Sequence, residues 1–380
     1  MSALAEKLKG VLVAKPRARR VGPIGLHFAQ EKVHAVQIRK LASGAFCLCA
    51  WASMDYPTNR DDALANPVSL KKLVTELLGR GSFRGRKVST ALPPNMSKLT
   101  SLTYRPSKET PDGAQLLTLM SSRLEGSIED YVIDYLPVRG SGNDREKVAL
   151  VAASRKTDVL GFLGGLTAAR LRVEELEVSP AAINRLVGLL PGNNTTRDNV
   201  LVINYGADIS YLTLISGRRL LMDKEINFGS NLLIEQVARG VDITTAMAER
   251  LIVREGLVQQ MERPFGDSAT LTEDDLNPLV DIIRPLFAQL AEEVRRACLY
   301  AAAESQGDVV ERVYTLGTIA RWAGADQLLS DIARIPVADN FPLAAIFDGD
   351  DQTDMPEYAG IGPDLAVATG LALRGLTDDA

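Results

Sequence analysis

Histidine and cysteine are nearly missing from this chain: two of the first and three of the second among 380 residues. His27 and His34 are too few to build a metal centre, which takes three or four ligands. Cys47, Cys49 and Cys298 are odd in number and lack the partners of a zinc cluster. Cys47 and Cys49 stand two apart in an apolar run, so both are expected on one face of a strand in a buried structural role. There is no apolar run of 18 residues and no secretory leader pattern, so a soluble, intracellular protein is expected. Nor is there an excess of positive charge: the net charge is −5, which gives no reason to expect a nucleic-acid partner. What is present is ordinary for a globular protein, 46% hydrophobic and 24% charged residues. At 380 residues the chain outgrows one ordinary core, and two lobes with a cleft are the expectation.

The organising stretch is NVLVINYGADISYLTLISGRRLL, residues 199–221. A β-branched apolar run ends at Tyr205-Gly206-Ala207, and an alternating run from Ile209 to Ile215 follows. This spacing predicts a hairpin with Gly206 at a tight turn or a close backbone approach. The N-terminal half holds a similar unit. Residues 24–40 read as strand, turn near Ala29-Gln30-Glu31, and strand, with a third run over 44–52. Helical spacing over 69–78 and a strand over 87–92 complete one α/β lobe.

Residues 111–125 then read as a helix, 131–136 and 147–152 as strands, 158–171 as a helix, 173–178 as a strand and 180–190 as a helix. Residues 191–198 are rich in turn formers and mark the expected lobe junction. Past the central hairpin, helices are expected over 229–239, 244–255 and 276–304, and a polar loop over 263–273. A strand over 309–316 runs into Gly317; a helix over 327–333 and an edge strand at Ile335-Pro336-Val337 follow, and an Ala-rich helix over 364–374 closes the chain. The first twenty residues carry Leu4, Leu8 and Leu12 before Lys15, Arg17, Arg19 and Arg20, a pattern suited either to peripheral contact with an acidic membrane or to a solvated terminus.

Two strand–turn–strand units, a late strand ending at glycine and a closing Ala/Gly helix resemble the actin-like (ribonuclease-H-like) ATPase fold. The finer resemblance is to the PilM-like proteins of type IV pilus assembly, relatives of the cytoplasmic domain of type II secretion L proteins. It runs from about Gly25 to Gly375 and is carried by IGLHFAQEKVHAVQI, KVSTALPP, RLEGSIEDYVIDYLPV, VLVINYGADISYLTLISG, EINFGSNLLIEQV and GPDLAVATGLALRG. It implies a two-lobed α/β fold with duplicated mixed sheets: a basic segment 1–20, lobe I over 21–192 with a small insert at about 86–152, lobe II over 193–362, and 363–380 packing back on lobe I.

The resemblance also places a nucleotide site, and there the chain departs from the pattern. The family's first turn reads like DIGSSSVK; here it is His27, Phe28, Ala29, Gln30, Glu31, Lys32, so the acid has become His27 and the glycine Ala29. Glu31 adds negative charge where phosphate oxygens would lie. The second turn, DIGAS in the family, is Asn204-Tyr205-Gly206-Ala207-Asp208. Asn204 can orient a metal-bound water but supplies no charge to Mg²⁺. The nucleoside-side loop is Gly317-Thr318-Ile319-Ala320, with Ile319 expected to fill nucleotide space, and Glu293 and Arg296 lie on the flanking helix, where a surface ion pair is an equal alternative. Phosphoryl transfer is positioning and electrostatics, so three altered loops imply ATP and Mg absent or weakly held and no catalysis. The alternatives are an ATP-binding protein that uses Gln30, Lys32 and Asn204 as unusual ligands, a polymerising cytoskeletal or division protein, and, more remotely, a sugar kinase.

The resemblance further implies a cytoplasmic scaffold held at the inner membrane through a PilN-like single-pass partner, with self-association as a second expectation. The partner's tail is expected at the insert, against Leu116, Leu117, Leu119, Met120, Leu124, Tyr131, Ile133 and Tyr135, although ordinary subdomain core explains most of these as well.

Overall fold

The chain opens as an antiparallel meander. β1 (Arg20–Phe28), β2 (Lys32–Lys40) and β3 (Phe46–Asp55) pair in sequence order, with His27 opposite His34 across the first turn. In β2, Val33, Ala35, Val36 and Ile38 are all buried, as in a strand covered on both faces. Gln37 pairs with Ala50 but Ile38 with Leu48, so Cys49 is a bulge. The expected shared face for Cys47 and Cys49 is lost there: Cys47 is buried, Cys49 half-buried, and both are free thiols. The computed structural model describes residues 20–138, 146–190, 198–217, 219–258, 277–305, 307–338, 341–347 and 355–377. The basic segment before Arg20, the expected lobe junction up to residue 197 and the polar loop at 263–273 lie outside them.

Helix α1 (Arg60–Ala65) precedes α2 (Pro67–Gly79), whose first turn is set by Pro67 and by the Asn66 side chain, which accepts from the Val68 amide at 2.9 Å. Leu70, Leu73, Val74 and Leu77 form its buried stripe. β4 (Lys87–Ala91) then returns parallel to β1. The chain leaves this sheet to build a second one, β5 (Lys98–Tyr104), β6 (Tyr131–Val138) and β7 (Lys147–Arg155) in the order β5-β7-β6, one face of which is covered by α3 (Asp112–Ser121). The insert is therefore displaced from the expected 86–152: β4 belongs to the first sheet, and the separate sheet runs from Lys98 to Arg155. After α4 (Lys156–Ala168), β8 (Arg172–Glu177) completes the first sheet in the order β3-β2-β1-β4-β8, and α5 (Ser179–Val187) follows.

The pattern then repeats. β9 (Asn199–Tyr205), β10 (Ser210–Ser216) and β11 (Arg219–Ile226) form a meander. Helices α6 (Ser230–Val241), α7 (Thr245–Glu255) and α8 (Pro278–Glu304) lead to β12 (Val310–Gly317), parallel to β9, and the sheet order is β11-β10-β9-β12. After α9 (Ala325–Ala333), the expected edge strand at Ile335–Val337 shrinks to one bridge between Val313 and Val337, because Pro336 has no amide to donate. Helices α10 (Met355–Gly360) and α11 (Gly362–Ala372) end the described chain.

α11 is what joins the two repeats. It packs on β1, β2, β4, α5 and β12, and its Leu365, Ala366, Ala368, Leu371 and Ala372 are fully buried. Contact with β1 requires Gly25: a Cβ there would lie 2.0 Å from the Ala368 carbonyl oxygen and 2.5 Å from the Ala372 amide. One core joins α11, α5 and the β9–β12 sheet. A second lies on the other face of the first sheet, where Phe28 meets Phe162 edge-on at 5.5 Å among Leu26, Leu70, Leu73 and Leu166. Each such large side chain contributes about 1.5–3 kcal/mol when fully buried.

Candidate functional site

The two meanders bring their first turns face to face. Gln30, at the tip of the β1–β2 turn, reaches into the β9–β10 turn: its Oε1 accepts from the amides of Asp208 (3.0 Å) and Ile209 (3.4 Å), and its Nε2 donates to the Ile209 carbonyl (3.1 Å). Gly206 leaves the room for this, since a Cβ there would lie 2.7 Å from Gln30 Oε1. Glu31 spans two further loops. Its Oε1 accepts from Ser230 Oγ at the start of α6 (2.7 Å) and its Oε2 from Thr318 Oγ1 just past β12 (2.6 Å). The Ala207 carbonyl accepts from the Asn231 amide at 2.9 Å, and Asp208 Oδ1 accepts from Asn231 Nδ2, also at 2.9 Å. Lys32 pairs with Asp55 at 3.2 Å.

What is left between these loops is a cavity of about 40 Å³, lined by His27, Ala29, Gln30, Glu31, Lys32, His34, Asn204, Gly206, Gly317 and Thr318. That is well short of the roughly 300–1,000 Å³ of a small-molecule site. The two imidazoles lie 6.1 Å apart, and their Nδ1 atoms are buried without a hydrogen-bond partner. Burial, and then the Arg60 charge, hold His27 down at about 3. Burial first, then His27, Lys32 and Arg321, keep His34 well below the ordinary range. Both rings are neutral near pH 7. Among the described residues no three His, Cys, Asp or Glu side chains come together as a metal site.

Most positions named from the sequence converge here, but not all. Ile319 is fully buried in the core shared by α11, α5 and the β9–β12 sheet, not in the cleft, because the 3₁₀ turn Ile319–Arg321 rolls it inward. Glu293 and Arg296 do not line the cavity; they pair with each other, and Lys224 meets Glu293 at 2.6 Å, a surface ion network between α8 and β11. The same turns also border a cavity of about 260 Å³, where His27, Ala29, Gln30, Asn204 and Gly206 face Phe28, Leu92, Leu99, Pro180 and Ile183. There Asp223 accepts from Thr213 Oγ1 at 2.6 Å, and burial raises its carboxyl to about 6 against that bond.

A larger open feature lies elsewhere. A groove of about 810 Å³ runs between the β5–β7 sheet and the β8–α5 side of the first sheet. Val132, Asp134 and Leu136 of β6 and Leu150, Ala152 and Ser154 of β7 form one wall; Ala181, Asn184, Arg185 and Leu189 form the other, with Lys40 and Arg374 at its margin. Arg185 is fixed at its base by a bidentate pair with Glu177, both bonds 2.8 Å, and by a third bond to the Gly370 carbonyl at 2.8 Å. Of the residues first assigned to tail binding, Tyr135 alone lines this groove. Leu116 and Met120 are buried between α3 and the opposite face of the sheet, with Leu124, Tyr131 and Ile133 packed against them, and Leu117 and Leu119 are exposed on α3. Apart from Tyr135, the groove wall on β6 is the even-numbered set, and the alternation in YVIDYL marks two faces without saying which is open.

A family model described as type IV pilus assembly protein PilM matches residues 25–376. The chain belongs to the PilM family. Among solved structures it is similar to a PilM–PilN type IV pilus biogenesis complex, 24% identical over 94% of this chain and 100% of that one, with a TM-score of 0.75. The ethanolamine utilization protein EutJ from Carboxydothermus hydrogenoformans is 15% identical, covers 95% and 92% of the two chains and gives 0.49. MreB 5 of Spiroplasma citri bound to AMPPNP is 10% identical, with 84% and 91% covered, and gives 0.46. In this PilM-family chain both larger sheets share one plan, an antiparallel meander whose first strand pairs in parallel with a later one.

Proposed function

We propose that this PilM-family chain is a cytoplasmic scaffold of a type IV pilus or related secretion machine, held at the inner membrane by binding the cytoplasmic tail of a PilN-like single-pass partner. The groove beside the β5–β7 sheet carries this reading, because it offers an extended apolar wall next to an edge strand. Such a surface suits an extended peptide, with side-chain pockets supplying specificity. The similar solved assembly pairs a PilM with a PilN. Among the described residues no helix is long and apolar enough to cross a membrane, so membrane contact through a partner is the simpler arrangement.

The same proposal leaves the nucleotide site without a nucleotide. A triphosphate with Mg²⁺ needs free backbone amides and carboxylate or hydroxyl ligands. The residues present fit it poorly. Gln30 takes the Asp208 and Ile209 amides, Glu31 presents a carboxylate to the phosphate side, and the acid at the end of β1 is the neutral His27.

Calorimetry with a synthetic peptide of the partner's cytoplasmic tail tests the groove. Leu136→Asp and Val132→Asp should each weaken binding about tenfold or more, while Leu117→Asp on the α3 face should leave it unchanged. The opposite pattern would move the tail to the α3 face and overturn the assignment.

A further inference from the structure

Two-lobed proteins that close on a ligand draw the closed state from the ligand's better fit to it. In this chain the bonds across the cleft belong to the protein. Three come from Gln30 to the β9–β10 turn and two from Glu31 to Ser230 and Thr318. We infer that Gln30 and Glu31 form a built-in strut that occupies the place of a phosphate group and holds the two halves closed without any ligand. The inference rests on the nucleotide-free reading of the cleft.

The chemistry of the strut matches the place it fills. Gln30 presents an acceptor oxygen to two adjacent amides, as a phosphate oxygen would, and its amide nitrogen adds a donor bond that a phosphate cannot make. Glu31 supplies the negative charge and takes two hydroxyl donors from separate loops; such charge-assisted bonds are the stronger kind. Each bond favours the closed arrangement by roughly fivefold, so the set together outweighs the thermal opening of a hinge. A Cβ at Gly206 would lie 2.3 Å from the Ile209 carbonyl oxygen and 2.7 Å from Gln30 Oε1, so glycine serves both the turn and the carboxamide seated in it.

Closure reaches the groove. β11, on the far half, packs against β5, β6, β7 and α5, and these are its walls. A strut that fixes the halves therefore fixes the groove, and tail affinity becomes independent of nucleotide. Gln30 and Glu31 act here as positioning residues.

Hydrogen exchange read by mass spectrometry on the full chain tests this, with and without millimolar Mg-ATP. In the wild type, peptides covering residues 204–210 and 229–232 should be protected to the same degree in both conditions. Gln30→Ala should speed exchange of the first peptide about tenfold. Glu31→Ala should speed the second, and Glu31→Gln should restore most of that protection. Unchanged exchange in both alanine variants would overturn the strut. Protection that appears in the wild type only after Mg-ATP is added would overturn both the strut and the nucleotide-free reading, and this arm stands even where a variant fails to fold. Protection that holds while the tail peptide does not bind would sink the groove assignment alone.

Discussion

The two histidines make the most direct physical test, because they are the only ones in the chain. Each is buried and neutral, His27 held at about 3 and His34 well below its ordinary range, mainly by burial. In the unfolded chain both would titrate near 6.5. A group with a depressed folded-state value binds its proton in the unfolded state first, so acid favours unfolding. The stability from keeping each ring neutral is present above about 6.5 and is lost as the pH falls towards the folded-state value. Between pH 7.5 and 5.5 each imidazole should lower the unfolding free energy by roughly 1 kcal/mol, or roughly 2–3 for the pair. Asp223 acts in the opposite sense. Its carboxyl is raised to about 6, so its protonation favours the folded state as the pH falls, and it offsets about 1 kcal/mol over the same interval. The cleaner quantity is the difference between proteins. Urea unfolding at the two pH values should show His27→Phe losing roughly 1 kcal/mol less than the wild type, and His34→Phe a similar amount less. NMR gives an independent reading, since the ring C–H signals of both histidines should stay unshifted down to pH 5.5 in the folded protein. A folded-state titration near 6.5, or equal pH slopes in all three proteins, would refute the argument.

Two structural substitutions follow from the same contacts. Gly25→Ala drives a methyl group into the α11 backbone, with the Ala368 oxygen 2.0 Å away. Because neither side can yield by a rotamer change, a loss of about 3 kcal/mol is expected, and a urea midpoint equal to that of the wild type would show that α11 does not press on β1. Arg185→Ala leaves Glu177 buried without its partner in a pair whose side chains are 10% and 12% exposed. Removing one member of such a pair costs about 3–5 kcal/mol, and Arg185→Lys should recover only part of it because the bidentate geometry is lost; full recovery would argue that charge alone matters.

Both hairpins were legible in the sequence because each alternates strongly and stops at turn residues. β5 and β11 were not. KLTSLTY has only two aliphatic residues, and RLLMDKEI places charge where a buried strand would be apolar. The resemblance located the cleft, yet it could not show that Gln30 and Asp208 bond to each other, since they stand 178 positions apart. Propensity works over a few neighbours; a contact of that span depends on how two sheets dock. The same limit hid the groove. Leu116 and Met120 have the amphipathic spacing of a binding helix, but the sequence gives no sign that α3 spends that face on the sheet beneath it.

The position of α11 sets the order in which the molecule can be completed during synthesis. β1 leaves the ribosome long before α11, so the face around Gly25 stays uncovered until residues 362–372 have emerged. Until then two finished sheets must wait with one side bare, which makes the nascent chain a natural client for chaperones and the docking of α11 slow.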